Sequence, residues 1–174
     1  MPRVAFILAA AVLAGCGVGD DEKTIGTDRL DDLVLQPDDL TPGFRRIFVR
    51  DLGALPQLRV RYERAGVRAT GGPRLIESTA HVFDSPRRAD TRVDRARDAL
   101  KSRRGWHPID EPGLGGESFA GTFVQGGVRY YQVVWREANV TAALEVNGLE
   151  PRLPLSDVLE LARKQQRRIA QAAG

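Results

Sequence analysis

Two apolar-rich runs, "SFAGTFVQ" (118–125) and "VRYYQVVWR" (128–136), are separated by nothing but Gly126-Gly127. A two-residue glycine loop tolerates the positive φ of the primed turns, whose twist matches that of two antiparallel strands, so this stretch predicts a hairpin. "REAN" (136–139) then turns the chain into "VTAALEVNG" (140–148), predicting a third antiparallel strand. Side chains alternate across a strand, so Tyr131, Val133 and Trp135 share a face with Val140, Ala142, Leu144 and Val146. That face is the expected core. The opposite face carries Tyr130, Gln132 and Val134 on one strand and Thr141, Ala143 and Glu145 on the next, a mixture suited to a partly apolar ligand site. It equally suits a solvated sheet face, or one covered by the 33–44 segment.

A meander needs a second layer to bury its apolar face. Upstream, "QLRVRYERA" alternates at period two and "RLIESTAHVF" is rich in β-branched and aromatic residues, so both are strand candidates around the "GVRATGGP" turn region. "LVLQPDDLTPGF" reads as a loop held by Leu35, Leu40 and Phe44, with Pro42-Gly43 set for a turn, and "WHPIDEPGLGGE" reads as a connection. Between them, Asp84 or Ser85 can cap a helix over 86–104, Pro86 suits its first turn, and Ala89, Val93, Ala96 and Leu100 form its apolar stripe. Its outer face carries Arg88, Arg92, Arg95, Arg97, Lys101, Arg103 and Arg104 among Asp90, Asp94 and Asp98. Such a face can rest on anionic headgroups or wall polymers, or be solvated and laced with weak pairs such as Asp94 with Arg97. "PLSDVLELARKQQRRIAQAA" predicts a closing helix with Leu155, Val158, Leu159, Ala162 and Ile169 on one stripe. The expected fold class is α+β, an antiparallel sheet of about five strands with two main helices packed against it.

The chain opens differently. Arg3 precedes an unbroken apolar run, Val4 to Leu13, and then Ala14, Gly15 and Cys16. A positive head, a short apolar core and small residues are the order of a secretory signal, and the run is about half the ~20 residues a membrane-spanning helix needs. "LAGC" resembles the lipobox of bacterial lipoproteins. That resemblance implies a lipobox of Leu13, Ala14 and Gly15, a diacylglyceryl thioether on Cys16, and the outer face of the cell membrane as location, facing the periplasm or outer membrane in a diderm source. Two acyl chains anchor a protein stably where one does not. Cys16 is the only cysteine, so no internal disulfide can form and the domain must stand on its core. The expected organisation is a signal peptide over 1–15, a lipidated flexible tether over 16–32, acidic and Gly-rich with little to bury, and one globular domain over 33–174. Further along, "DLTPGF", "HVFDSPRRAD", "GLGGESF" and "VVWREANV" look like the pattern of small actinobacterial envelope lipoproteins of the LpqN and PknH-sensor type, which implies a PsbP-like α/β sandwich. Those chains carry Gly after "WR", where this one has Glu137-Ala138. Among 26 basic residues only Lys23, Lys101 and Lys164 are lysine, a bias expected of a high-GC genome.

Chemistry is sparse. Net charge is +3, too weak to argue for nucleic acid. His81 lies within a strand and His107 follows the basic helix, a spacing that matches no local metal motif, so no metal site and no cofactor are expected. Asp110, Glu111 and Glu117 lie near His107 in sequence, but Ser118 has no nucleophile-elbow context and no catalytic residue is expected. "GLGGE" precedes a strand rather than a helix, which makes it a turn and not a phosphate loop. Asn139-Val140-Thr141 fits a glycosylation sequon, a modification not expected of a bacterial lipoprotein. The expected function is a non-catalytic binding or accessory module, with a sensor-like domain recruiting an envelope partner and a hydrolase as alternatives. Its expected partners are the membrane, and an envelope protein or a small lipophilic ligand, with Tyr130, Gln132 and Thr141 as the candidate ligand contacts.

Overall fold

The glycine pair of the hairpin does adopt positive φ, 58° at Gly126 and 74° at Gly127, and the two strands it joins pair from Gln125 with Val128 to Glu117 with Arg136. A computed structural model describes residues 23–51, 56–64, 71–110 and 112–174. Cys16, the lipobox residues Leu13, Ala14 and Gly15, and part of the "GVRATGGP" turn lie outside the described residues. In chain order the elements are 3-10 turns at Thr27–Leu33 and Pro37–Asp39, β1 (Phe44–Asp51), β2 (Gln57–Arg64), β3 (Leu75–Val82), α1 (Pro86–Lys101), β4 (His107–Ile109), β5 (Glu117–Gln125), β6 (Val128–Glu137), β7 (Val140–Leu149) and α2 (Leu155–Ala173). The strands form one antiparallel sheet in the order β1-β2-β3-β7-β6-β5-β4.

The sheet has seven strands rather than about five. Both additions are its edges, β4 within the stretch that the sequence reads as a connection and β1 just beyond the loop read over 33–44. β1 breaks alternation with a bulge between Arg46 and Phe48, and β4 is three residues long with a proline in the middle, as an edge strand permits.

The helices take opposite faces. Val158, Ala162 and Ile169 of α2 join Val133, Trp135, Leu144, Val60, Tyr62 and Ile76 in the main core, together with Leu33, Val34 and Leu35. The 33–44 segment therefore covers this face and not the other. α1 lies across β5, β6 and β7 on the second face, where Ala89 and Val93 are fully buried and the Thr141 hydroxyl donates to the Ala89 carbonyl at 2.9 Å. Pro86 occupies its first turn and Ser85 the N-cap position, without a side-chain cap.

The folded body also starts earlier than Leu33. Ile25 is only 4% exposed. Its N–H donates to Asn139 Oδ1 at 2.7 Å, and Asn139 Nδ2 donates back to the Ile25 carbonyl at 3.1 Å. Residues 25–32 are thus part of the domain and not of a tether, because an apolar side chain and the 3-10 turn after it dock on the sheet end.

Candidate functional site

β-pairing decides which polar side chains share the second face. Thr141 on β7 stands opposite His81 on β3, which stands opposite Gln57 on β2. Four residues along β7, Glu145 stands opposite Glu77 on one side and Gln132 of β6 on the other. α1 covers only the β5–β7 half of this face. Along its flank, formed by Arg92, Ala96 and Leu100, it leaves an open groove of about 340 Å³ over β2, β3, β7 and β6. That volume is at the small end of ligand clefts.

The groove mixes polar and apolar groups along its length: Ala96, Leu100, Val134 and Ala143 line it beside Arg59 and Thr79, with His81 towards one end and Glu77 and Glu145 towards the other. His81 is 6% exposed, its ring packs on Phe83 with centroids 3.9 Å apart, and its Nδ1 has no hydrogen-bond partner. Burial holds its pKa below the usual imidazole value, and the nearby Arg92 charge pushes the same way, so the ring is neutral near pH 7. Gln132 donates through Nε2 to Glu145 at 2.5 Å, and its Oε1 is buried without a partner. Glu77 accepts from Arg61 at 2.5 Å and pairs with Arg59 at 3.2 Å. Buried polar groups are ordinarily paired; among the described residues Arg59 Nε, His81 Nδ1 and Gln132 Oε1 in the groove lack a hydrogen-bond partner, as do Trp135 Nε1 and Gln165 Oε1 elsewhere.

Of the three expected ligand contacts, Gln132 and Thr141 line the groove. Thr141 also fastens α1 to the sheet. Tyr130 does not reach it. One step further along β6, its ring stacks on Phe123 at 4.7 Å and an interplanar angle of 4°, an aromatic pair that occupies both faces of the contact. Sequence reasoning missed as site residues His81, Arg92 and Glu145 of this groove, and likewise Arg59, Glu77 and Thr79. The period-two pattern already placed Glu145 beside Gln132, but only the position of α1 brings Arg92 to His81.

The His107 neighbourhood assembles nothing catalytic. His107 is exposed on β4, Glu117 pairs with Arg97 at 2.7 Å, and Ser118 Oγ accepts from the Leu114 N–H at 3.4 Å; Glu111 lies outside the described residues. Among the described residues no group of three or more His, Cys, Asp or Glu side chains could hold a metal ion, and no helix is long and apolar enough to cross a membrane. Asn139 of the sequon is 2% exposed, its amide engaged by the Ile25 and Phe83 backbone. A second cavity of about 280 Å³ lies between α2 and the Phe44 end of the sheet, where Asp39 is taken by Arg168 at 2.5 Å and Glu160 by Lys164 at 3.3 Å.

The chain matches no protein-family model and no curated protein. Among solved structures it is similar to the extracellular domain of PknH from Mycobacterium tuberculosis, with a TM-score of 0.59, 12% identity, and coverage of 87% of this chain and 98% of that one. A GTP-binding regulator from Thermotoga maritima gives a TM-score of 0.42 at 12% identity over 86% of this chain and 90% of that one. LpqN of Mycobacterium tuberculosis, involved in cell envelope biogenesis, gives 0.38 at 16% identity over 77% and 80%. The likeness to the first is one of fold, an α+β extracellular domain built on the same scale as this chain.

Proposed function

We propose that this chain is a membrane-anchored envelope lipoprotein whose globular part is a non-catalytic binding module. Diacylglyceryl on Cys16 holds it at the outer face of the cell membrane, and the groove beside α1 is its ligand site. The observation that carries the reading is the groove itself, whose lining residues Arg59, His81 and Gln132 each hold a buried polar atom with no hydrogen-bond partner among the described residues. The fold likeness to an extracellular domain supports the same reading.

Native mass spectrometry of the protein extracted in mild detergent from its own membranes tests it. The expected result is a co-purifying small molecule that is lost when Ala143→Trp fills the groove. A folded wild type that carries no adduct would count against the groove as a ligand site. A second reading, a sensor-like domain recruiting an envelope protein, is favoured by the edge of β1, which is unpaired among the described residues and where Ile47, Phe48 and Val49 are 47%, 38% and 51% exposed; such an edge accepts a partner strand. Cross-linking from Val49→Cys in intact cells separates the two.

A further inference from the structure

Exposed large apolar side chains are few among the described residues: Val124 alone on β5, and Ile47, Phe48 and Val49 in a row on β1. A single one is ordinary, whereas a contiguous run marks a contact surface. Phe48 pairs with Arg61 and lies on the second face, Val49 pairs with Val60 and lies on the core face, and Ile47 is the extra residue of the bulge. The three side chains therefore wrap the edge of the sheet. Positive charge surrounds them. Of the six arginines on β1 and β2, Glu77 engages Arg59 and Arg61, which leaves four against Asp51 and Glu63 on the same strands. Arg45 is exposed and, among the described residues, forms no ion pair, even with Glu63 across the ladder. Arg46 donates only to neutral oxygens, Gln36 Oε1 at 2.9 Å and Tyr62 Oη at 3.2 Å, and Arg64 lies over the Phe44 ring at 5.6 Å.

We propose that β1 is the edge by which the domain lies on an anionic bilayer surface, Ile47, Phe48 and Val49 entering the headgroup region while Arg45, Arg46 and Arg64 meet lipid phosphates. The inference rests on the lipid anchor proposed above, and chain length allows it. Ile25 docks at Asn139, beside the start of β7. Three strand spacings of ~4.8 Å separate β7 from β1, and Val49 is level, through Val60 and Ser78, with Leu144, four residues of ~3.3 Å past Val140, so the edge is ~20 Å from that turn. Residues 16–24 reach up to ~30 Å, enough for a lipid on Cys16 and the β1 edge to meet one bilayer plane. Other occupants fit less well. A second copy pairing antiparallel about Phe48 sets Arg46 against Arg50, and like charges opposite one another destabilise a ladder. A partner strand meets the bulge, a device that blunts an edge. A headgroup layer needs no register, and its phosphates and water satisfy free backbone groups as hydrocarbon cannot. The rival surface, α1, has among the described residues no exposed large apolar side chain to insert, and Asp94 and Asp98 interrupt its arginines.

The mature full chain, reconstituted into phosphatidylcholine vesicles with or without phosphatidylglycerol, tests the inference. With Cys16 held as a thioether, a cysteine introduced as Val49→Cys, Val124→Cys or Arg95→Cys is the one free thiol and takes an environment-sensitive fluorophore. In anionic vesicles the label at 49 is expected to shift to the blue and to be quenched by spin-labelled lipid, and the labels at 124 and 95 to stay in water. Leaving out phosphatidylglycerol releases the label at 49, and adding Arg45→Gln to Val49→Cys lowers its docked-to-free ratio ~5-fold, a change that a merely structural role for Arg45 would not produce. Equal quenching at the three positions, quenching at 95 alone, or a signal at 49 indifferent to lipid charge overturns the inference and leaves the anchor standing. So does a label at 49 that is free on vesicles and protected only when envelope extract is added, which points to a partner strand. Mass spectrometry that finds Cys16 unmodified defeats anchor and inference together.

Discussion

His81 shows what the fold asks of a single side chain. It sits on β3 under the flank of α1, 6% exposed, with its pKa held below the usual value first by burial and then by Arg92. The unfolded chain takes up a proton near 6.5, whereas the folded protein does so only at lower pH. As pH falls through 6.5 toward the folded value, the unfolded state binds more protons, and stability is lost over that window and retained above it. Denaturant midpoints at pH 7.5 and 5.0 are expected to separate more for wild type than for His81→Gln; equal separations would show that the ring titrates as in solution. Ala138 is a second residue at odds with its backbone. It is the first of two residues between Glu137 and Val140, with φ 50°, where a two-residue turn favours glycine. Asn139 beside it is held in place by accepting from the Ile25 N–H and donating to the Phe83 carbonyl. Ala138→Gly removes the steric cost of the left-handed conformation and is expected to raise stability by about 0.5–1 kcal/mol, less whatever its partly buried methyl contributes. An unchanged or lower denaturant midpoint would mean that the methyl contact outweighs the strain.

Among the elements, α1 divides its arginines between two tasks. Arg92 and Arg95 are exposed and, among the described residues, without acidic partners, so Arg92→Gln and Arg95→Gln are each expected to shift stability by less than about 0.5 kcal/mol. Arg97 is different. It reaches Glu117 at 2.7 Å and Asp94 at 2.9 Å, and lies over the Phe119 ring at 5.4 Å, which ties the helix to β5. Arg97→Gln is expected to cost about 1 kcal/mol by chemical denaturation, and a neutral result would show that the pairs are screened. The same contrast explains what could be read from sequence. β6 and β7 alternate, so their core face and the face that carries Gln132 and Thr141 follow from parity, and the pairing of β5 with β6 follows from the Gly126-Gly127 turn. β1 does not, because an edge strand tolerates exposed apolar residues and a bulge that resets the period. Tyr130 has the right parity but lies beyond the groove, and the approach of Arg92 to His81 depends on where a helix lands across the sheet, a long-range matter that no local pattern encodes.

For the molecule as a whole, the question is where the anchor ends and the domain begins. The expectation of a tether to residue 32 fails at Ile25, whose side chain is buried and whose backbone is bonded to the β6–β7 turn. In a tether, truncating Ile25 would cost nothing; as a core residue, Ile25→Ala is expected to lower stability by about 2–4 kcal/mol, measured by thermal or denaturant unfolding. Under the lipoprotein reading, that leaves residues 16–24 as the link between a lipidated Cys16 and the sheet. At ~3.5 Å per residue this link reaches at most ~30 Å, so under the lipoprotein reading the groove stays close to the bilayer surface. Everything in that arrangement depends on Cys16. A single acyl chain holds a protein marginally while diacylglycerol supplies two, and no helix among the described residues can replace it as an anchor. Cys16→Ser is therefore expected to give a chain that is unprocessed or mislocalised. The mature wild-type protein should show a diacylglyceryl-modified Cys16 as its first residue by mass spectrometry, and recovery of an unmodified Cys16 from membrane-extracted wild type would refute the anchor and the location that rests on it.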